Sequence, residues 1–69
     1  MIEYDLAGQD FIELNKLLKL TDLVNSGGEA KLIIREGLVM VNEEVESRLR
    51  RKLRSGDRVS FEGQEVLVK

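Results

Sequence analysis

The hydrophobic pattern of this 69-residue chain changes period at Gly37. Before that glycine, Phe11, Leu14, Leu17 and Leu18, and then Ala30, Ile33 and Ile34, recur at spacings of three and four, as one buried face of a helix does. After it, Leu38-Val39-Met40-Val41 and the segments 59–61 and 66–68 are short and rich in β-branched residues, as strands are. Helices first and strands second predict an α+β domain, with the helices packed on one side of a mostly antiparallel sheet.

Local punctuation sharpens this order. Ser26 and Glu29 have the spacing of a capping box, and Gly37 falls where a helix stops in a left-handed residue, so a second helix is expected between them. Asp10 and Glu13 have the same spacing and predict a first helix from near Phe11 to near Leu20. Residues 21–25 are then a short connector, which makes the two helices a hairpin. Ile2, Tyr4 and Leu6 alternate with Glu3 and Asp5, the pattern of a short edge strand. Asn42-Glu43, Ser55-Gly56-Asp57 and Glu62-Gly63 read as turns. The predicted order is β-αα-ββββ, give or take one strand, forming a single domain over residues 1–69.

There is no histidine or cysteine. The usual general bases, thiol nucleophiles, disulfides and zinc ligands are therefore absent, and a metal would have to rely on carboxylates alone. Among the serines, Ser26 reads as a helix cap, and no base is evident for the others. Glu43, Glu44 and Glu46 cluster at a turn and read as a solvated tip. Neither catalysis nor a cofactor or metal is expected. Apolar runs reach at most four or five residues, far short of a membrane span, and the acidic N-terminus lacks the layout of a signal peptide. Cytoplasm is the expected location.

The net charge is −2, which taken alone argues against a polyanionic partner. Its distribution argues for one. Residues 1–14 carry Glu3, Asp5, Asp10 and Glu13 and no base, whereas residues 47–58 carry Arg48, Arg50, Arg51, Lys52, Arg54 and Arg58 against Asp57 alone, a local excess of +5. Local charge sets the potential at a binding surface. In an extended segment the cations at 48, 50, 52 and 54 would point one way, opposite Leu49 and Leu53. The plainer reading is a charged strand edge that blocks aggregation.

The start of the second helix offers a further site. Unpaired amides and the helix dipole attract phosphate there, and Gly27 and Gly28 leave room for its approach. Lys31 and Arg35 follow on one face at a spacing that costs like charges a few tenths of a kcal/mol, about 0.2–0.5. Pairing with Glu29, Glu36 or the acidic N-terminal strand is the structural alternative. Tyr4, Phe11 and Phe61 all read as core or edge residues, so backbone and shape recognition is expected over base stacking.

Ser26-Gly27-Gly28-Glu29-Ala30-Lys31, Ile33-Ile34-Arg35-Glu36-Gly37, Val39-x-Val41-Asn42 and Gly56-Asp57-Arg58-Val59 together resemble the S-four RNA-binding domain, named after a ribosomal small-subunit protein. The resemblance covers about residues 11–61. It is nearest to the small stand-alone bacterial members called YbcJ-like or YaaA-like, which share the Ser-Gly-Gly-x-Ala-Lys form and a basic segment seen here as Arg50-Arg51-Lys52-Leu53. It implies a two-helix hairpin (the αL motif) on a small sheet, and structured RNA, ribosomal RNA or tRNA, bound by the hairpin and the adjoining basic strand. Carried over by position, the RNA-binding residues are Ser26, Gly27, Gly28, Lys31, Arg35, Arg48, Arg50, Arg51, Lys52 and Arg54. The chain departs from many members in having Gly27 and Gly28 where arginines follow the cap serine, and Glu13 near a position where an arginine opens the first helix. The expected protein is a monomeric RNA binder that acts on no small molecule and no membrane. The alternative is a protein-interaction module using the same charged surface, which requires an exposed apolar patch beside the cations. Duplex DNA is a third candidate ligand, because phosphate contacts do not tell the two nucleic acids apart.

Overall fold

The computed structural model describes residues 1–69. In chain order the elements are β1 (Ile2–Tyr4), β2 (Ile12–Glu13), α1 (Leu14–Leu20), α2 (Gly27–Arg35), β3 (Met40–Val41), β4 (Glu44–Val45), β5 (Lys52–Leu53), β6 (Arg58–Phe61) and β7 (Gln64–Val68). Five strands form a sheet in the order β1-β7-β6-β3-β4, in which β1 runs parallel to β7 and every other neighbour is antiparallel. β2 and β5 form a separate two-stranded ribbon. The order matches the expected one with two short additions, β2 and β5.

The sheet's register aligns Val41 with Val59 and Val59 with Val66, a row of fully buried valines across three strands. Leu14, Leu17 and Leu18 from α1 and Ala30, Ile33 and Ile34 from α2 join it in one cluster of 16 buried residues. Helices of seven and nine residues are too short to stand alone in water, so this shared burial is what makes them helical. The hairpin turns supply the register. Asn42 and Glu43 have φ of 52° and 71°, and Glu62 and Gly63 have 52° and 78°, the paired left-handed residues a two-residue hairpin turn requires.

Both helices stop by the same device. After α2, Gly37 adopts φ +76°, its amide donates to the Ile34 carbonyl and the Leu38 amide donates to that of Ile33. After α1, Asp22 takes the left-handed position at φ 61°, with its amide on Lys19 and that of Leu23 on Leu18. The serine arm of the predicted box forms, Ser26 Oγ accepting from the Glu29 amide at 3.1 Å, while the Glu29 carboxylate accepts from the Asn25 amide, one residue before the cap, at 2.6 Å.

The box predicted at Asp10 does not form. α1 starts at Leu14, and Glu13 at its N-cap makes no side-chain hydrogen bond to it. The reason lies far along the chain. The Leu14 and Asn15 amides donate to the carbonyls of Arg51 and Leu49 at 2.9 and 3.1 Å, so the loop before β5 caps the helix with its backbone. That pairing draws Ile12 and Glu13 into register with Leu53 and Lys52, which leaves Phe11 outside the helix.

The basic run is not one extended strand either. Leu49 and Arg50 form a turn and only Lys52–Leu53 is strand, so the four alternating cations are not aligned by a common pleat. Glu46 is no solvated tip: it is 5% exposed, the one charged residue among the buried ones.

The two distant family motifs meet through side chains. Asn42 donates from Nδ2 to Asp57 Oδ1 at 3.0 Å and accepts the Arg58 amide at 3.0 Å, while Asp57 Oδ2 accepts the Arg54 amide at 2.8 Å. This ties the β3–β4 turn to the turn before β6. Asp57→Ala removes both acceptors, and an expected loss of about 1–2 kcal/mol would show as a thermal midpoint lowered by several degrees. An unchanged midpoint would contradict this role.

Candidate nucleic-acid interface

The loop between β4 and β5 is organised around a buried acid. Glu46 accepts hydrogen bonds from the Arg48 amide at 2.8 Å, from Arg48 Nε and Nη2 at 3.0 Å each, and from Arg51 Nη1 at 2.9 Å. The Arg48 guanidinium hydrogen bonds dominate in holding the Glu46 carboxyl down at about 2, from an ordinary value of 4.5; burial opposes this, and Arg51 adds to it. The same carboxylate raises the pKa of Arg48.

Arg48, Arg50, Arg51 and Lys52 line a shallow depression of about 610 Å³ with no apolar residue in its wall. The Arg48 side chain remains 72% exposed despite its bond to Glu46, whereas Arg51 is 27% exposed. Arg50 and Lys52 are exposed and in no ion pair. Four cations against one carboxylate leave the depression strongly positive.

α2 presents the other predicted residues. Gly27, Gly28, Lys31 and Arg35 are all exposed and lie at helical spacing, opposite the buried Ala30, Ile33 and Ile34. Lys31 and Arg35 form no ion pair, so the expected alternative of Glu29 and Glu36 as partners is not realised. Glu29 instead spends its carboxylate on the Asn25 amide, which places a negative charge at the helix start. Glycine is not needed there by packing: a Cβ at Gly27 would meet nothing within 4 Å, and one at Gly28 only Ser26 Oγ at 3.8 Å.

Thus Arg48, Arg50, Arg51 and Lys52 come together, while Ser26, Gly27, Gly28, Lys31 and Arg35 stand along α2. Helix α1 joins the two groups. Its first amides hold the loop at Leu49 and Arg51, and the Leu18 carbonyl near its far end holds the connector at Leu23 and Val24. Leu14 and Leu18 are one helical turn apart, a rise of about 6 Å. Arg54 lies elsewhere on the ribbon, with Nη1 at 3.4 Å from the Asp10 carbonyl.

Two residues of this region were not singled out from sequence. Glu46 precedes Arg48 by two positions, and that spacing was its only signal. Phe11, expected at the start of the first helix as a core or edge residue, is half-buried outside that helix, with Lys52 Nζ at 4.9 Å from its ring centroid and Arg54 Cζ at 5.8 Å.

A family model described as the S4 domain matches residues 4–69. The chain belongs to the S4 (S-four) domain family. It is 43% identical over 68 residues to YbcJ of Escherichia coli (strain K12), spanning 99% of this chain and 97% of that protein. It is also 46% identical over 54 residues to the "probable ribosome maturation protein" RlbA of Bacillus subtilis (strain 168), spanning 78% and 76%. The solution structure of YbcJ, described as revealing an αL motif involved in RNA binding, superposes with a TM-score of 0.75 over 99% of this chain and 86% of that one. The S-four domain's two-helix hairpin on a mostly antiparallel sheet is the architecture found here.

The buried acid makes this site's order pH-dependent. The folded pKa of Glu46 lies below its unfolded value, so its contribution to stability is complete above about pH 5 and is lost as pH falls toward 2. Glu46→Gln is expected to lower stability at neutral pH by about 1–3 kcal/mol. In denaturant titrations at stepped pH, the gap between wild type and variant closes between pH 5 and 2. A gap that stays constant would contradict the assignment.

Proposed function

We propose that the chain binds structured RNA, ribosomal RNA or tRNA, through phosphate contacts and without catalysing a reaction. It acts as a monomeric single domain in the cytoplasm. Phosphates lie in the depression of Arg48, Arg50, Arg51 and Lys52 and along the α2 face of Gly27, Gly28, Lys31 and Arg35, with Ser26 capping that helix and Arg54 at the ribbon's edge.

The observation that carries this reading is the convergence of Arg48, Arg50, Arg51 and Lys52 on one depression with no apolar wall, where Arg50 and Lys52, like Lys31, Arg35 and Arg54, are exposed and without a carboxylate partner. Lys19 and Arg58 are exposed and unpaired as well, so it is the convergence and not the missing partner that marks the surface. The RNA-binding motif of YbcJ and the ribosome-maturation name of RlbA support RNA as the polyanion.

A protein partner on the same surface is less well supported. It calls for apolar side chains beside the cations, and the depression of Arg48, Arg50, Arg51 and Lys52 has none in its wall; on α2 the exposed Leu32 beside Lys31 and Arg35 is the one apolar side chain among the cations.

The test is binding to tRNA and ribosomal RNA fragments, against duplex DNA, at several salt concentrations. RNA affinity is expected to exceed that for DNA and to fall steeply with salt, by roughly 0.7–0.9 of a logarithmic unit per neutralised phosphate. Lys31→Ala combined with Arg50→Ala is expected to flatten the slope by about one to two units. An unchanged slope would remove these two residues from the interface, and absence of RNA binding at low salt would overturn the function.

A further inference from the structure

Phe11 is an aromatic ring that the core does not absorb. It stays half-buried while the second phenylalanine, Phe61, is 8% exposed. Two cations without carboxylate partners stand by the ring: Lys52 Nζ at 4.9 Å and Arg54 Cζ at 5.8 Å. Covering an apolar ring with cationic stems would account for that contact alone. It does not account for the hollow of about 700 Å³ that Phe11 also lines, together with Tyr4, Gln9, Asp10, Glu13 and Lys16. Two aromatic rings beside an amide, two carboxylates and an ammonium, the last paired with Glu13, match what a nucleobase offers, a flat π face and an edge of donors and acceptors.

Lys52 links this hollow to the phosphate site. It stands by the Phe11 ring and also lines the depression of Arg48, Arg50 and Arg51. A strand whose phosphates follow that depression passes Lys52, the side chain that stands by the Phe11 ring. We propose that Phe11 is the floor of a subsite for one unpaired nucleobase, with Lys52 and Arg54 receiving the adjoining phosphate. This rests on the RNA-binding reading above and narrows it: the RNA offers a looped-out or bulged nucleotide next to a paired segment.

The experiment uses the full chain and two RNAs, a hairpin with 2-aminopurine at an unpaired loop position and a fully paired duplex of the same length. Stacking quenches 2-aminopurine, so wild-type protein is expected to bind the hairpin more tightly than the duplex and to dim its fluorescence. Phe11→Leu keeps the apolar bulk and removes the π face. It is expected to lose the quench and to weaken hairpin binding by about 5- to 100-fold, while duplex binding is unchanged. Phe11→Tyr restores both. Equal wild-type affinity for the two RNAs with no fluorescence change would overturn the subsite and leave RNA binding standing, a comparison that needs no variant to fold. A Phe11→Leu protein that quenches and binds like wild type would overturn it as well. Binding to neither RNA would overturn the subsite together with the RNA-binding reading.

Discussion

The carboxylate of Glu46 holds the loop on which the rest of the molecule's arrangement depends. Its four hydrogen bonds to Arg48 and Arg51 fold residues 46–51 back on themselves. That shape presents the carbonyls of Leu49 and Arg51 to the first amides of α1. A short helix with no side-chain cap thereby acquires its N-terminal partners, and the β2–β5 ribbon acquires its register. Removing the acid would leave two arginines without an anchor and a helix start without its cap. The cost of burying the carboxylate is offset by charge-assisted bonds rather than by the fold around it.

This arrangement also resolves a conflict in the chain's electrostatics. Clustered cations repel one another, and a run of them in an extended segment would gain little from the protein. Here one buried acid neutralises part of the repulsion and fixes two guanidinium groups, while Arg48 keeps most of its surface in solvent. An acid within a cationic surface thus acts as a fastening for the guanidinium groups around it. The exposed helical face of α2 carries its cations differently, without any internal partner, and depends on the core beneath it for rigidity.

How much of this was legible in the sequence follows from distance along the chain. Ser26, Glu29 and Gly37 act within one helix, and Asn42-Glu43 and Glu62-Gly63 act within one turn; their geometry came out as the local patterns predict. Asp10 and Glu13 carry the same pattern, and it failed because Ile12 and Glu13 pair as strand with Leu53 and Lys52, so that the helix begins only at Leu14. Propensity could not reveal that competitor. The cations beside Phe11 were hidden for the same reason, being a product of the β2–β5 pairing, whereas Glu46 bonds to its near neighbours Arg48 and Arg51. The ten predicted binding residues divide into a loop cluster and a helix face, with Arg54 apart, a division that only the three-dimensional arrangement expresses.

The most direct measurement is the RNA affinity of Glu46→Gln beside wild type at about 0.15 M salt, with both proteins verified as folded. The substitution removes a negative charge from the cationic surface, so simple charge counting predicts tighter binding. If Glu46 instead arranges the arginines that meet phosphate, the variant binds more weakly despite its higher net charge. Equal or tighter binding by Glu46→Gln would contradict the account.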